Sequence, residues 1–175
     1  MNLDFLLVEK IKNGSNWAWE EFVKKYYSPI FQYCFLHIHD RYIAEDITQE
    51  TFLRFFEAMD TYMEQGKVKN YLYCIAGNCI KNYCKKKKEI LLDYIPEMCE
   101  ESISNIELRL DIEQAVDALP EALKETAILF FFQNLKQREI ADLLEISIPL
   151  VKYRIREIKK ILSEYWELYE NGVTV

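Results

Sequence analysis

Residues 135–162 read LKQREIADLLEISIPLVKYRIREIKKIL. Two helical patterns follow one another around this stretch, at 136–145 and 149–165, joined by Ile146, Ser147 and Ile148, which is helix-turn-helix spacing. In the first, Ile140, Leu143, Leu144 and Ile146 fall inward, and Ala141 is small where a second helix crosses closely. In the second, Val151, Ile155, Ile158 and Leu162 recur at steps of 4, 3 and 4, the period of one buried helix face. Ser147 is placed to cap this helix, and Pro149 suits its first turn, where a missing N–H costs nothing. The opposite face is left with Leu150, Lys152, Tyr153, Arg156, Lys159 and Lys160. Many helical hairpins share the inward pattern; the basic outer face is what points to duplex DNA. Its N-terminal half would enter a groove, with Arg156, Lys159 and Lys160 on phosphates.

The whole chain of 175 residues, 50% hydrophobic and 14% aromatic, leaves room for one ordinary domain or two small ones. Only 4 Gly and 4 Pro exclude collagen-like and linker-like chains and favour helices. The formal charge of −7 would ordinarily oppose nucleic-acid binding. Divided by segment, it does not. Residues 1–66 carry 6 bases against 11 acids, a net of −5. Residues 67–88 contain Lys67, Lys69, Lys81 and Lys85 to Lys88 with no acid, a net of +7. Residues 89–133 set Arg109 and Lys124 against 11 acids, a net of −9, and residues 146–162 return to +4. Two basic islands flank an acidic stretch. Lysines at a helix end are usually a solvated surface that also complements the helix dipole. Here they stand with Asn70, Tyr71, Tyr73, Asn78, Asn82 and Tyr83, the aromatic and amide groups that unstacked bases require.

Further helices are expected upstream. Ser15 caps one running through Trp17, Trp19, Phe22 and Val23; Ser28 and Pro29 mark a break or kink before a second apolar segment, Ile30 to Ile38. From Asp40, Ile43, Ile47, Thr51 and Phe55 form a core stripe widened by Phe52, Phe56 and Met59. Residues 64–69 read as a loop and 70–88 as a helix with Leu72, Ile75, Ala76, Cys79, Ile80 and Tyr83 inward. Residues 89–104, with Pro96, form a linker; Ser104 starts a helix, and Leu119-Pro120 starts another through Phe131 that Asn134 closes in the left-handed conformation. Cys34, Cys74, Cys79, Cys84 and Cys99 are an odd set, and the N-terminal apolar stretch is interrupted by Asp4 and Glu9, so reduced thiols and the cytosol are expected. Cys74, Cys79 and Cys84, five apart, fit no zinc spacing and read as small packing side chains. His37 and His39 fall on different helix faces, and no apolar run is long enough to span a membrane.

Two separated motifs now point to one family. Ala44-Glu45-Asp46-Ile47-Thr48-Gln49-Glu50-Thr51-Phe52-Leu53-Arg54 resembles the Asp-x-x-Gln-Glu-x-Phe segment of bacterial sigma factors, and Leu119-Pro120 through Leu162 resembles their C-terminal promoter-binding lobe. With two lobes and a short connector, the chain is similar over residues 15–165 to the extracytoplasmic-function (group 4) sigma factors of the sigma-70 family. The resemblance implies an all-α protein: a region 2-like lobe at 1–88, a flexible acidic linker at 89–104 and a region 4-like helix-turn-helix lobe at 105–175. It implies a cytoplasmic RNA polymerase sigma factor that directs promoter recognition, melting and transcription initiation, is no enzyme and needs no cofactor or metal. Its partners would be core RNA polymerase, promoter DNA and an anti-sigma factor, without membrane insertion.

The resemblance also implies site roles. Asp46, Gln49, Glu50 and Leu53, which share a helix face, would contact the polymerase clamp helices. Lys67, Lys69, Asn70, Tyr71, Asn78, Lys81 and Asn82 would serve the minus-ten element, with the loop at 61–70 capturing an extruded base. Leu150, Lys152, Tyr153, Arg156, Lys159 and Lys160 would serve the minus-thirty-five element. Three positions depart from the family pattern. Glu145 stands where the turn usually has Gly, so it is left-handed or the turn differs. Gly77 replaces a large basic residue, and Leu150 and Tyr153 replace smaller ones. The competing function is a free-standing helix-turn-helix transcriptional regulator whose N-terminal lobe senses a ligand or dimerises. A hydrolase or metalloenzyme built on Glu45, Asp46 and Glu50 has no histidine partner nearby.

Overall fold

A computed structural model describes residues 3–63, 66–92 and 114–170. The chain divides into two compact units, Met1–Glu97 and Met98–Val175. In the first, Leu7, Val8 and Ile11 form the buried face of α1 (Leu3–Lys12). Gly14, at φ 80°, reverses the chain, and Ser15 Oγ accepts from Ala18 N at 3.4 Å to start α2 (Asn16–Ile38). Of the break or kink expected at Ser28 and Pro29, the break does not occur: α2 is continuous, with Pro29 inside it. Proline removes one backbone bond there, but Phe22, Tyr26, Ile30, Tyr33 and Cys34 bury one stripe on both sides of it, and packing holds the helix together.

His39, left-handed at φ 56°, ends α2 by donating its N–H to Phe35 O at 2.8 Å. Asp40 then caps α3 (Arg41–Glu57), its Oδ1 accepting from Ile43 N at 3.1 Å. Ile47, Thr51, Phe52, Phe55 and Met59 are buried as the spacing requires, but Phe56 is 52% exposed and belongs to the surface. Gly66, at φ 76°, precedes α4 (Val68–Leu92), which begins inside the expected loop and absorbs the first four residues of the expected linker. The rest of the linker and the helix from Ser104 lie outside the described residues, apart from residues 114–117, which are helical.

The core of the first unit holds a cluster of aromatic rings among its aliphatic side chains. Phe22 and Phe55 stack at 4.9 Å and 5° between planes, with Trp19 parallel to Phe55 at 6.3 Å and Tyr26 against Phe22 at 4.9 Å. Cys34 and Cys79 are buried in the same unit, and burial pushes the Cys34 thiol up to about 12 and the Cys79 thiol up as well. Cys74 and Cys84 are exposed, so the expectation that the cysteines pack inward holds for only part of the set.

In the second unit, Pro120 precedes α5 (Glu121–Ala127), which runs into one π-helical turn, Ile128–Phe132. That turn replaces the plain α-helix expected through Phe131. Asn134 is left-handed at φ 51°, as expected of a closing residue. Then α6 (Gln137–Leu143) opens with Lys136 N donating to Glu139 Oε2 at 2.7 Å, and α7 (Ile148–Glu170) opens with Leu150 N donating to Ser147 Oγ at 3.3 Å. Glu145 adopts φ 54°, and Ile146 N closes the turn onto Ala141 O at 3.0 Å. The helix-turn-helix geometry is thus kept without glycine, at a backbone cost of about 1–2 kcal/mol. Ile140, Ala141, Val151, Ile155 and Ile158 form an aliphatic core around the crossing. No helix among the described residues is long and apolar enough to cross a membrane.

Candidate functional site

Residues 67, 71, 74, 78, 81 and 85 follow one another at helical steps of three and four, and 82 lies one turn beyond 78, so all seven share a side of α4. Lys67, Cys74, Asn78, Lys81, Asn82 and Lys85 are exposed there, and Tyr71 is half-buried. Asn70 flanks the same side. Two residues expected at this face are placed elsewhere. Tyr73 is 1% exposed, packed edge-on against Tyr33 at 5.1 Å, and its hydroxyl is held neutral well above the ordinary tyrosine range by burial. Lys69 is half-buried on the far side of the helix, with its ammonium 6.0 Å from the Tyr73 ring centre. The stripe therefore keeps Lys67, Asn70, Tyr71, Asn78, Lys81 and Asn82, and gains Lys85.

Tyr71 is not isolated. Tyr62, from the chain between α3 and α4, stacks on it at 4.8 Å and 15° between planes, and Phe55 packs against both rings at 5.6 and 6.0 Å, inclined at 61° and 59°. Lys12 of α1 donates to the Tyr62 carbonyl and ties this segment to the N-terminal helix. Tyr62 carried no sequence signal beyond being an aromatic residue in a loop. Gly77 packs closely on Tyr33: a Cβ there would stand 3.3 Å from the Tyr33 hydroxyl, which would have to give way by a few tenths of an ångström.

On α3, Asp46 and Gln49 are exposed, Leu53 is 53% exposed, and Glu50 is half-buried. These four residues share one face, opposite Ile47, Thr51 and Phe55. Glu50 Oε1 accepts from Arg54 Nε at 2.6 Å, a hydrogen bond that holds the guanidinium more firmly protonated. Arg41 and Glu45 form a similar pair at 3.1 Å.

In the second unit, Leu150, Lys152, Tyr153, Arg156, Lys159 and Lys160 are all exposed on α7, as the spacing required. Gln137 of α6 joins Pro149, Lys152, Ile155, Arg156 and Lys159 along a shallow groove, a contribution that the spacing of α7 alone does not reveal. Arg154, although part of the basic island, turns inward and donates to Thr126 Oγ1 of α5 at 3.4 Å. The cationic face is thus sorted from the packing face within a single helix.

The chain matches the Sigma-70 region 2 family over residues 22–90 and the Sigma-70, region 4 family over residues 109–162. It is 26% identical over 176 residues to the ECF RNA polymerase sigma factor SigW of Bacillus subtilis (strain 168), covering 90% of this chain and 93% of the relative. The fold resembles CnrH, solved in complex with the cytosolic domain of CnrY, with a TM-score of 0.73, 18% identity and 95% and 98% of the two chains covered. It also resembles the sigma factor RpoE, solved with the anti-sigma factor NepR from Bartonella quintana, with a TM-score of 0.70, 17% identity and 85% and 96% covered. Two region families in the expected order, together with a relative matched almost end to end, place the chain in the sigma-70 family as an extracytoplasmic-function RNA polymerase sigma factor.

Proposed function

We propose that this sigma factor divides its work among three exposed faces. Asp46, Gln49, Glu50 and Leu53 of α3 dock on the clamp helices of core polymerase. The α4 stripe engages the minus-ten element: Tyr71, Asn78 and Asn82 receive an unpaired base, while Lys67, Lys81 and Lys85 neutralise phosphates. Unstacking a base costs a few kcal/mol, and stacking on one aromatic ring returns about 1–3 kcal/mol. The Tyr62–Tyr71 stack against Phe55 is a ready floor for that exchange. The helix α7 enters the minus-thirty-five major groove, with Leu150 and Tyr153 toward base edges and Arg156, Lys159 and Lys160 on phosphates.

The protein acts in the cytoplasm, by binding, and catalyses no reaction of its own. An anti-sigma factor restrains it by covering one or both units, as the complexes of CnrH with CnrY and RpoE with NepR suggest by analogy. The observation that carries this reading is the pair of exposed basic helix faces, one in the unit that matches region 2 and one in the unit that matches region 4. Purified protein mixed with core polymerase is expected to form a stoichiometric complex and give run-off transcripts from a cognate promoter. Sequence-specific duplex binding without polymerase, and no transcript with it, would instead identify a free-standing regulator.

A further inference from the structure

The N-terminal turns of a helix-turn-helix recognition helix are the ones that meet base edges. In α7 these turns expose mostly apolar side chains. Ile148 is 39% exposed, Leu150 38% and Tyr153 51%, and Pro149 is exposed beside them. At about 100° per residue, Tyr153 stands opposite the buried stripe of Val151, Ile155 and Ile158, with Leu150 its neighbour one turn earlier.

The groups that ordinarily read bases by hydrogen bonds are scarce there. Guanine is read best by a forked arginine and adenine by a carboxamide. Residues 148–154 contain no Asn or Gln, and their one arginine, Arg154, is turned to Thr126 Oγ1 at 3.4 Å. Ser147 Oγ is engaged at the cap, where it accepts from Leu150 N at 3.3 Å. Lys152 is the exposed cation of these turns, and Arg156, Lys159 and Lys160 follow further along the helix. Among the features that a base pair shows in the major groove, one is apolar: the 5-methyl group of thymine.

We propose that α7 reads its duplex through thymine methyl groups, one packed on the Tyr153 ring and one on the Leu150 side chain. The substrate class is thus a minus-thirty-five element with thymines at the two positions facing these residues. A methyl group marks T·A against A·T and against both orientations of G·C, so apolar contact alone selects sequence. The aromatic ring of Tyr153, and not its hydroxyl, makes the contact. This inference rests on the reading of α7 as the minus-thirty-five helix and names what that helix selects.

The test begins with a minus-thirty-five duplex that the full-length protein, bound to core polymerase, selects from random sequence. Replacing a thymine with deoxyuridine removes one methyl and nothing else. At two of the thymines the change is expected to weaken binding about fourfold. Tyr153→Ala should bind the thymine and deoxyuridine duplexes equally at one of these positions, and Leu150→Ala at the other. Tyr153→Phe, which keeps the ring, should retain the preference for thymine. The deoxyuridine series on the unaltered protein depends on no variant folding. Selection of an element without A·T pairs, or equal affinity for every thymine and deoxyuridine duplex, would overturn methyl readout. If Arg156→Ala still lowers duplex affinity in that case, the assignment of α7 to the duplex stands; if it does not, that assignment falls as well. A thymine preference that survives both Tyr153→Ala and Leu150→Ala would overturn the role given to these two residues.

Discussion

On α4 the lysines alternate with Tyr71, Asn78 and Asn82, whereas on α7 they stand with one ring, Tyr153, and an aliphatic Leu150. Both faces carry enough positive charge to hold phosphates, so charge alone does not distinguish them. The amides and the stacked Tyr62–Tyr71 pair do. A ring offers stacking that only an unpaired base can accept, and the amides add edge contacts, while the basic face of α7, above an aliphatic crossing, suits the groove of an intact duplex. The cores differ too: stacked aromatic rings lie among the aliphatic side chains of the first unit, whereas aliphatic side chains fill the crossing under α7.

The largest effect should come from the aromatic cluster. Phe55→Ala removes the ring that packs against Tyr62 and Tyr71 and stacks on Phe22, and is expected to destabilise the first unit by about 3–5 kcal/mol while sparing duplex binding by the second. Separate thermal transitions for the two units would check it. Next, Tyr71→Ala should weaken binding of a single-stranded minus-ten oligonucleotide by about 1–3 kcal/mol with little change in salt dependence. Replacing Arg156 or Lys159 with Ala should act the opposite way, lowering the slope of log affinity against log salt on duplex by about one unit for each phosphate no longer neutralised. Equal salt slopes for the two sets would dissolve the distinction between the faces.

A smaller effect is expected at the turn. Glu145→Gly relieves a left-handed non-glycine residue and should stabilise the second unit by about 1 kcal/mol without altering its DNA contacts, as read by denaturant midpoint. Titration supplies the last contrast. Because burial raises the Cys34 pKa to about 12 from an unfolded value of 9.0, the folded first unit keeps its proton while the unfolded chain loses it. Its stabilising contribution is complete below pH 9 and is lost as pH rises toward 12. Exposed Cys74 and Cys84 should label with a thiol reagent in the native state, and Cys34 only after unfolding.

Much of this was legible from periodicity. Val151, Ile155 and Ile158 repeat on one side of α7, and the exposed basic set follows by elimination. Caps at Ser15 and Ser147 could be read because their hydrogen bonds are local. What failed depended on interactions between residues distant in sequence. Pro29 stays helical because residues on both sides of it are buried, and Phe56 reads as core because aromatic character does not reveal which side of a helix is covered. Tyr73 has the character of a nucleotide-stacking ring, yet Tyr33 covers it. The Tyr62–Tyr71 stack joins a loop to a helix, which no spacing rule anticipates.

The most direct measurement is permanganate reactivity of unpaired thymines in a promoter bound by core polymerase and this protein, read beside protection of the minus-thirty-five duplex. With Tyr71→Ala and Asn78→Ala together, the minus-ten thymines should become unreactive while minus-thirty-five protection persists; Arg156→Ala should reduce both. Full reactivity in the Tyr71 and Asn78 variant, or disappearance of duplex protection along with it, would contradict the assignment of strand opening to α4 and duplex recognition to α7.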